Sequence, residues 1–152
     1  MRDPTDGAAT KDVQRLQERT IGTDAWRRRV EDEVTALVNE ERRRRALPEL
    51  LTDERLRRSS RAHSEDMAAR NYFSHVAPDG RRPVDRMSAA GHPAPAAENI
   101  AKGQPGPATV VLAWMKSPGH RANILHPDVR SLGVGLGTGS GGPWWTQNFG
   151  YE

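Results

Sequence analysis

Leu132-Gly133-Val134-Gly135-Leu136-Gly137, followed after a glycine-rich break by Trp144-Trp145-Thr146-Gln147-Asn148-Phe149-Gly150-Tyr151, decides the fold class. Leu132, Val134 and Leu136 recur at every second position, the period of a strand, and the glycines between them predict that one face is buried. Gly137 to Gly142 reads as a flexible hairpin loop and the aromatic run as the returning strand. Alternation is expected to turn Trp145, Phe149 and Tyr151 inward and Trp144 to the opposite side. Upstream the period becomes helical. Trp26, Val30, Val34, Leu37 and Val38 form one stripe of a helix that starts at a cap on Thr23 or Asp24 and stops before Pro48. Leu56, Ser60, His63 and Met67 share a face of a second helix, capped by Thr52 and running to about Asn71. Shorter helices are expected over Val84–Ala90, Ala108–Met115 and from Ser117-Pro118 to Leu125, with an extended segment at Ala97–Lys102. Helices first and strands later, without regular alternation, predict an α+β domain: a small antiparallel sheet covered by helices.

The chain has 152 residues, enough for one domain with a real core. Residues 1–22 are polar, with Pro4, Gly7 and Gly22, and read as a flexible arm or linker; 23–152 read as the domain. There are 23 Lys+Arg against 20 Asp+Glu, a formal net charge of +3. That excess is too mild to argue for nucleic acid, and the many arginines read as solvated helix faces. With no cysteine, disulfides, thiolate metal sites and cysteine nucleophiles are excluded. No apolar run is long enough to cross a bilayer. No signal peptide is visible in the polar start at Met1-Arg2-Asp3-Pro4, so either the protein is cytosolic or the sequence starts after a removed leader or anchor.

Three turn-like segments carry groups that hold metals or move protons: Phe73-Ser74-His75, Ala97-Glu98-Asn99-Ile100 and Ser117-Pro118-Gly119-His120-Arg121. Two neutral imidazoles and a carboxylate suit Zn²⁺ or another divalent metal with one position left for water, which would be acidified there. His120 lies in the first turn of its helix, where the dipole is expected to lower its pKa. The same three groups equally make a hydrogen-bonded cluster that ties loops to the sheet. His63, on the face of Leu56 and Met67, reads as a core histidine or as a group orienting His75, and His92 and His126 as exposed loop residues. Asn99 is expected to bond the backbone of the cleft loop. Ser117 reads as a helix cap, and no Gly-x-Ser-x-Gly context supports a serine hydrolase.

Seven words in order carry a resemblance: Val38-Asn39-Glu40-Glu41-Arg42, His63-Ser64-Glu65-Asp66-Met67, Phe73-Ser74-His75, Ala97-Glu98-Asn99-Ile100, Trp114 to Leu125, Leu132-Gly133-Val134-Gly135 and Trp145-Thr146-Gln147-Asn148-Phe149-Gly150. Over about residues 28–151 the chain resembles the bacterial branch of the CAP superfamily, the SCP-like domain of cysteine-rich secretory, venom-antigen and pathogenesis-related proteins. The resemblance implies a three-layer α-β-α sandwich with a central antiparallel sheet and a cleft to one side. It implies that His75 and Glu98 match the first His and Glu of the family's cleft tetrad. Ser117 and Trp144 stand where eukaryotic relatives carry a second Glu and a second His, so that tetrad is incomplete; Trp144 is thus a further cleft candidate, and His120 supplies an imidazole instead. The resemblance implies a monomeric extracellular or cell-surface protein, with no organic cofactor, whose cleft binds a small ligand (lipid, glycan or cell-wall component) or a divalent metal. The alternatives are a metal-dependent hydrolase acting through His75, Glu98 and His120 on an extracellular polymer, and a structural or adhesion module.

Overall fold

A computed structural model describes residues 6–152, with side chains from Asp24 onward. Its elements are α1 (Asp6–Arg43), β1 (Leu51–Thr52), α2 (Glu54–Arg70), α3 (Pro83–Ala89), β2 (Pro95–Lys102), α4 (Pro107–Lys116), α5 (Pro118–Ile124), β3 (Ser131–Gly137) and β4 (Trp144–Gly150). Helix α1 passes through Gly22 without a break. Residues 6–22, read from the sequence as an irregular arm, are therefore helical, and residues 1–5 lie outside the described residues. The α2 cap is Asp53 and not Thr52: its carboxylate accepts from the amides of Arg55 and Leu56.

The sheet order is β1-β3-β4-β2. Strands β3, β4 and β2 are antiparallel, whereas the two residues of β1 pair with β3 in parallel, a departure from the all-antiparallel expectation. Pleating sorts the side chains into two sets. Leu132, Phe149 and Ala97 share one rung, and Leu136, Trp145 and Ala101 another; these face a core built with Val34 and Val38 of α1 and Val110 and Trp114 of α4. Gly133, Gly135 and Gly137 lie on the opposite face, under α2.

That second face is buried as well, contrary to the expectation of a single buried face: every residue of β3 is buried. An added Cβ on Gly133 would stand 2.1 Å from the Arg57 amide nitrogen, and one on Gly135 2.1 Å from that of Arg61. The glycines let α2 lie directly on the strand, and the Ser60 and Ser64 hydroxyls donate to the Gly133 and Gly135 carbonyls at 2.7 and 2.8 Å. The result is the three-layer arrangement, with α2 on one face and α1 with α4 on the other.

Both lateral edges of the sheet are closed by side chains. On the outer edge of β2, Trp114 donates to the Ile100 carbonyl at 3.1 Å and Asn123 to the Glu98 carbonyl at 3.4 Å. Where β3 outruns the short β1, the Leu136 amide donates to Glu31 at 2.9 Å and its carbonyl accepts from Arg27 at 3.5 Å. Glu31 is fully buried and also takes Arg57 at 3.1 Å and Arg61 at 2.5 Å, which joins α1, α2 and β3.

Candidate functional site

Strand β2 carries Glu98 and Asn99 on successive positions, so they point to opposite faces at the edge of the sheet. Glu98 lies on the α2 face, opposite Asn148. Its Oε1 accepts from His75 Nδ1 at 2.9 Å and from Arg86 Nη2 at 3.0 Å; its Oε2 accepts from Arg86 Nη2 at 2.8 Å and from Asn148 Nδ2 at 2.8 Å. The carboxylate is buried, while 47% of the His75 side chain is exposed. Burial alone would raise the Glu98 pKa, but the His75 hydrogen bond and the nearby Arg86 and His63 outweigh it and hold the carboxyl below its ordinary value. Arg86, on α3, also donates to the His75 carbonyl at 2.8 Å and so fixes the loop that presents the ring.

His63 is buried in the core of this cluster. Its Nε2 donates to the Ser74 carbonyl at 2.8 Å and stands 3.9 Å from Glu98 Oε1. It therefore shapes the 73–76 loop through the backbone and does not touch the His75 ring. Burial lowers its pKa, against the partial opposition of Glu98.

On the other face of β2, Asn99 donates to the His120 carbonyl in α5 at 3.1 Å, a backbone bond to a helix and not to the cleft loop, and accepts from Asn123 at 2.9 Å. The His120 ring bonds neither Glu98 nor His75. Its pKa is lowered, as expected in direction, by burial and then by the neighbouring His75. Ser117 occupies the start of α5 without a side-chain capping bond. Trp144, expected at the cleft, is fully buried on the rung of Lys102, four residues along β2 from Glu98, packed with Met67 and Ile100. Tyr151 is 45% exposed and not inside, and His92 is buried and not exposed. The His92 Nδ1 accepts from the Ala94 amide at 3.1 Å, which places its proton on Nε2, facing Ser131 and the Glu152 carbonyl.

Zn²⁺ or another divalent metal at His75, Glu98 and His120 stays an expectation from the sequence. Both Glu98 oxygens accept from Arg86, a permanently charged partner. Among the described residues no group of three or more His, Asp or Glu is placed to hold a metal ion. What sequence reading missed is Arg86, a basic residue in a short helix with no motif around it, together with the roles of Asn123 and Asn148, which sit inside quoted words but have no intrinsic chemistry to mark them.

The cleft beside this cluster has a volume of about 350 Å³ and is lined by Pro83, Val84, Met87, Pro95 and Ala96 together with His75 and Glu98. A small antiparallel core sheet between helical layers, with an acid and an imidazole meeting at its outer strand, defines the class. The model of the cysteine-rich secretory protein (CAP) family matches residues 35–149, and the chain belongs to that family. It nevertheless holds no cysteine. It is 47% identical over 120 residues to the uncharacterized protein YkwD of Bacillus subtilis (strain 168), which covers 78% of this chain and 46% of that protein. It is 32% identical over 139 residues to the uncharacterized membrane protein YlbC of the same organism, covering 88% of this chain and 39% of YlbC. The chain thus spans less than half the length of these curated relatives. Among solved structures, an extracellular protein containing an SCP domain from Bacillus anthracis str. Ames superposes with a TM-score of 0.76 at 31% identity, over 83% of this chain and 41% of that one. An outer surface protein of Borrelia burgdorferi shares the fold, with a TM-score of 0.69 at 20% identity, over 76% of this chain and 87% of that one. No helix among the described residues is long and apolar enough to cross a membrane.

Proposed function

We propose that this is an extracellular or surface-held CAP domain whose cleft at the β2 edge binds a small ligand that has a hydroxyl or N–H donor at one end and an apolar body. The observation that carries this reading is the half-exposed His75 ring with its Nδ1 held by buried Glu98. With Nδ1 bonded to Glu98, Nε2 is the ring nitrogen left for a ligand. Pro83, Val84, Met87 and Pro95 supply an apolar wall of matching extent. The description of one similar structure as extracellular and of another as an outer surface protein supports the location. The test is a thermal-shift screen of lipids and wall glycans on the wild type and His75→Ala. A ligand that raises the wild-type melting temperature and not that of the variant supports the reading. If every hit stabilises both proteins equally, the cleft is not the site.

One observation favours a second reading, hydrolysis. A carboxylate that orients an imidazole is also how a general base is built, and His75 lines the cleft. Among the described residues no hydroxyl is hydrogen-bonded to the His75 ring, and the Ser74 hydroxyl accepts from the Val76 amide at 3.1 Å, so water would be the nucleophile. This reading requires turnover of a wall polymer that is lost in Glu98→Gln while binding persists.

A further inference from the structure

Far from His75, a second cavity of about 280 Å³ opens at the tip of the β3–β4 hairpin. Its walls are Trp26 and Val30 of α1, Pro105 and Pro107 of the loop entering α4, and Pro143 and Trp145 beside the glycine-rich turn. Trp26 continues the stripe of Val30, Val34 and Val38 by one turn. Val34 and Val38 are fully buried, but at Trp26 the core has ended and the indole is 46% exposed. Its exposed part, on the lining of the cavity, is free to stack against a ligand.

The lining chemistry narrows that ligand. Among the described residues no Asp, Glu, His, Lys or Arg lines the cavity, so nothing there recognises a charge. The polar side chain on the lining is that of Thr138, whose hydroxyl can both donate and accept. The Trp145 ring nitrogen is already committed to the Gln104 carbonyl at 3.0 Å. The fitting ligand is therefore uncharged, carries a hydrogen-bonding group and presents a flat C–H face to one indole. A proline-rich peptide fits less well, because its successive ridges need several exposed aromatic rings and Trp145 is buried.

We infer that this cavity is a subsite for a neutral sugar ring, which stacks on Trp26 and hydrogen-bonds Thr138 through a hydroxyl. The volume suits about one or two rings of a longer glycan. Prolines on two walls keep the cavity open before the ligand arrives, so little ordering accompanies binding.

The test uses the intrinsic fluorescence of the full chain. Of its four tryptophans, Trp114, Trp144 and Trp145 are buried, so acrylamide quenching reports chiefly on Trp26. A neutral N-acetylglucosamine trimer is expected to protect Trp26 from acrylamide and to shift its emission to the blue. By calorimetry, Trp26→Ala is expected to bind the trimer about tenfold more weakly or worse, with Trp26→Phe between the two. His75→Ala is expected to bind it like the wild type, which separates this site from the β2 cleft. Absence of protection at millimolar trimer, or equal affinity in wild type and Trp26→Ala, overturns the inference. So does protection by a proline-rich peptide and not by the trimer.

Discussion

Arg86 donates to both oxygens of Glu98 and also to the carbonyls of His75 and Arg81, so one guanidinium ties α3 to β2 and to the loop that carries the exposed imidazole. Its removal leaves a buried carboxylate without a counter-charge. Arg86→Met is expected to cost about 3–5 kcal/mol in chemical denaturation, and the double variant Arg86→Met with Glu98→Gln to recover part of that loss. The histidines set the pH dependence. His63 and His120 have folded pKa values below the ordinary 6.5, so the unfolded chain binds more protons as pH falls through that range. Their contribution to stability is full above about pH 6.5 and is lost progressively below it. Glu98, also lowered, adds a second fall below its ordinary value of 4.5, as acid protonates the paired carboxylate. Unfolding free energies measured from about pH 7.5 down to about pH 5 are expected to decline, and His63→Asn is expected to flatten the slope.

At the scale of elements, β3 shows how a glycine can mean contact and not emptiness. Its period of two was legible, and so was the apolar face of Leu132, Val134 and Leu136. The burial of the other face was not, because a residue without a side chain gives no sign of what lies against its backbone. Only the partner reveals it: Ser60 and Ser64, small and spaced one turn apart on α2, meet Gly133 and Gly135. Gly135→Ala would drive a methyl into the Arg61 amide, where a backbone and not a flexible side chain must yield. The expected loss is about 3 kcal/mol or more, read as a lowered denaturation midpoint at unchanged slope. The site follows the same logic. His75 and Glu98 were legible because each carries its own chemistry, and they do meet. His120 was legible as an imidazole but serves the edge of β2 through its carbonyl, a role that any residue type could fill there.

For the molecule as a whole, Glu31 connects the layers. Buried on α1, it holds two arginines of α2 and a backbone amide of β3, so neither helical layer can leave the sheet without exposing an unpaired charge. In sequence it stood among the solvated charges of an Arg- and Glu-rich helix, with nothing to set it apart. Glu31→Ala is expected to cost about 3–5 kcal/mol, with helix and tryptophan signals still lost in one coincident transition.

The capped margins of the sheet carry a consequence for crowding. A bare strand offers a template on which another chain can extend a ladder, the first step towards fibrils. Here Trp114 and Asn123 occupy carbonyls on one flank, and Glu31 and Arg27 answer Leu136 on the other. Copies packed densely together therefore meet side chains at these positions where a templating backbone would otherwise stand, so ladder extension from these two flanks is expected to be disfavoured.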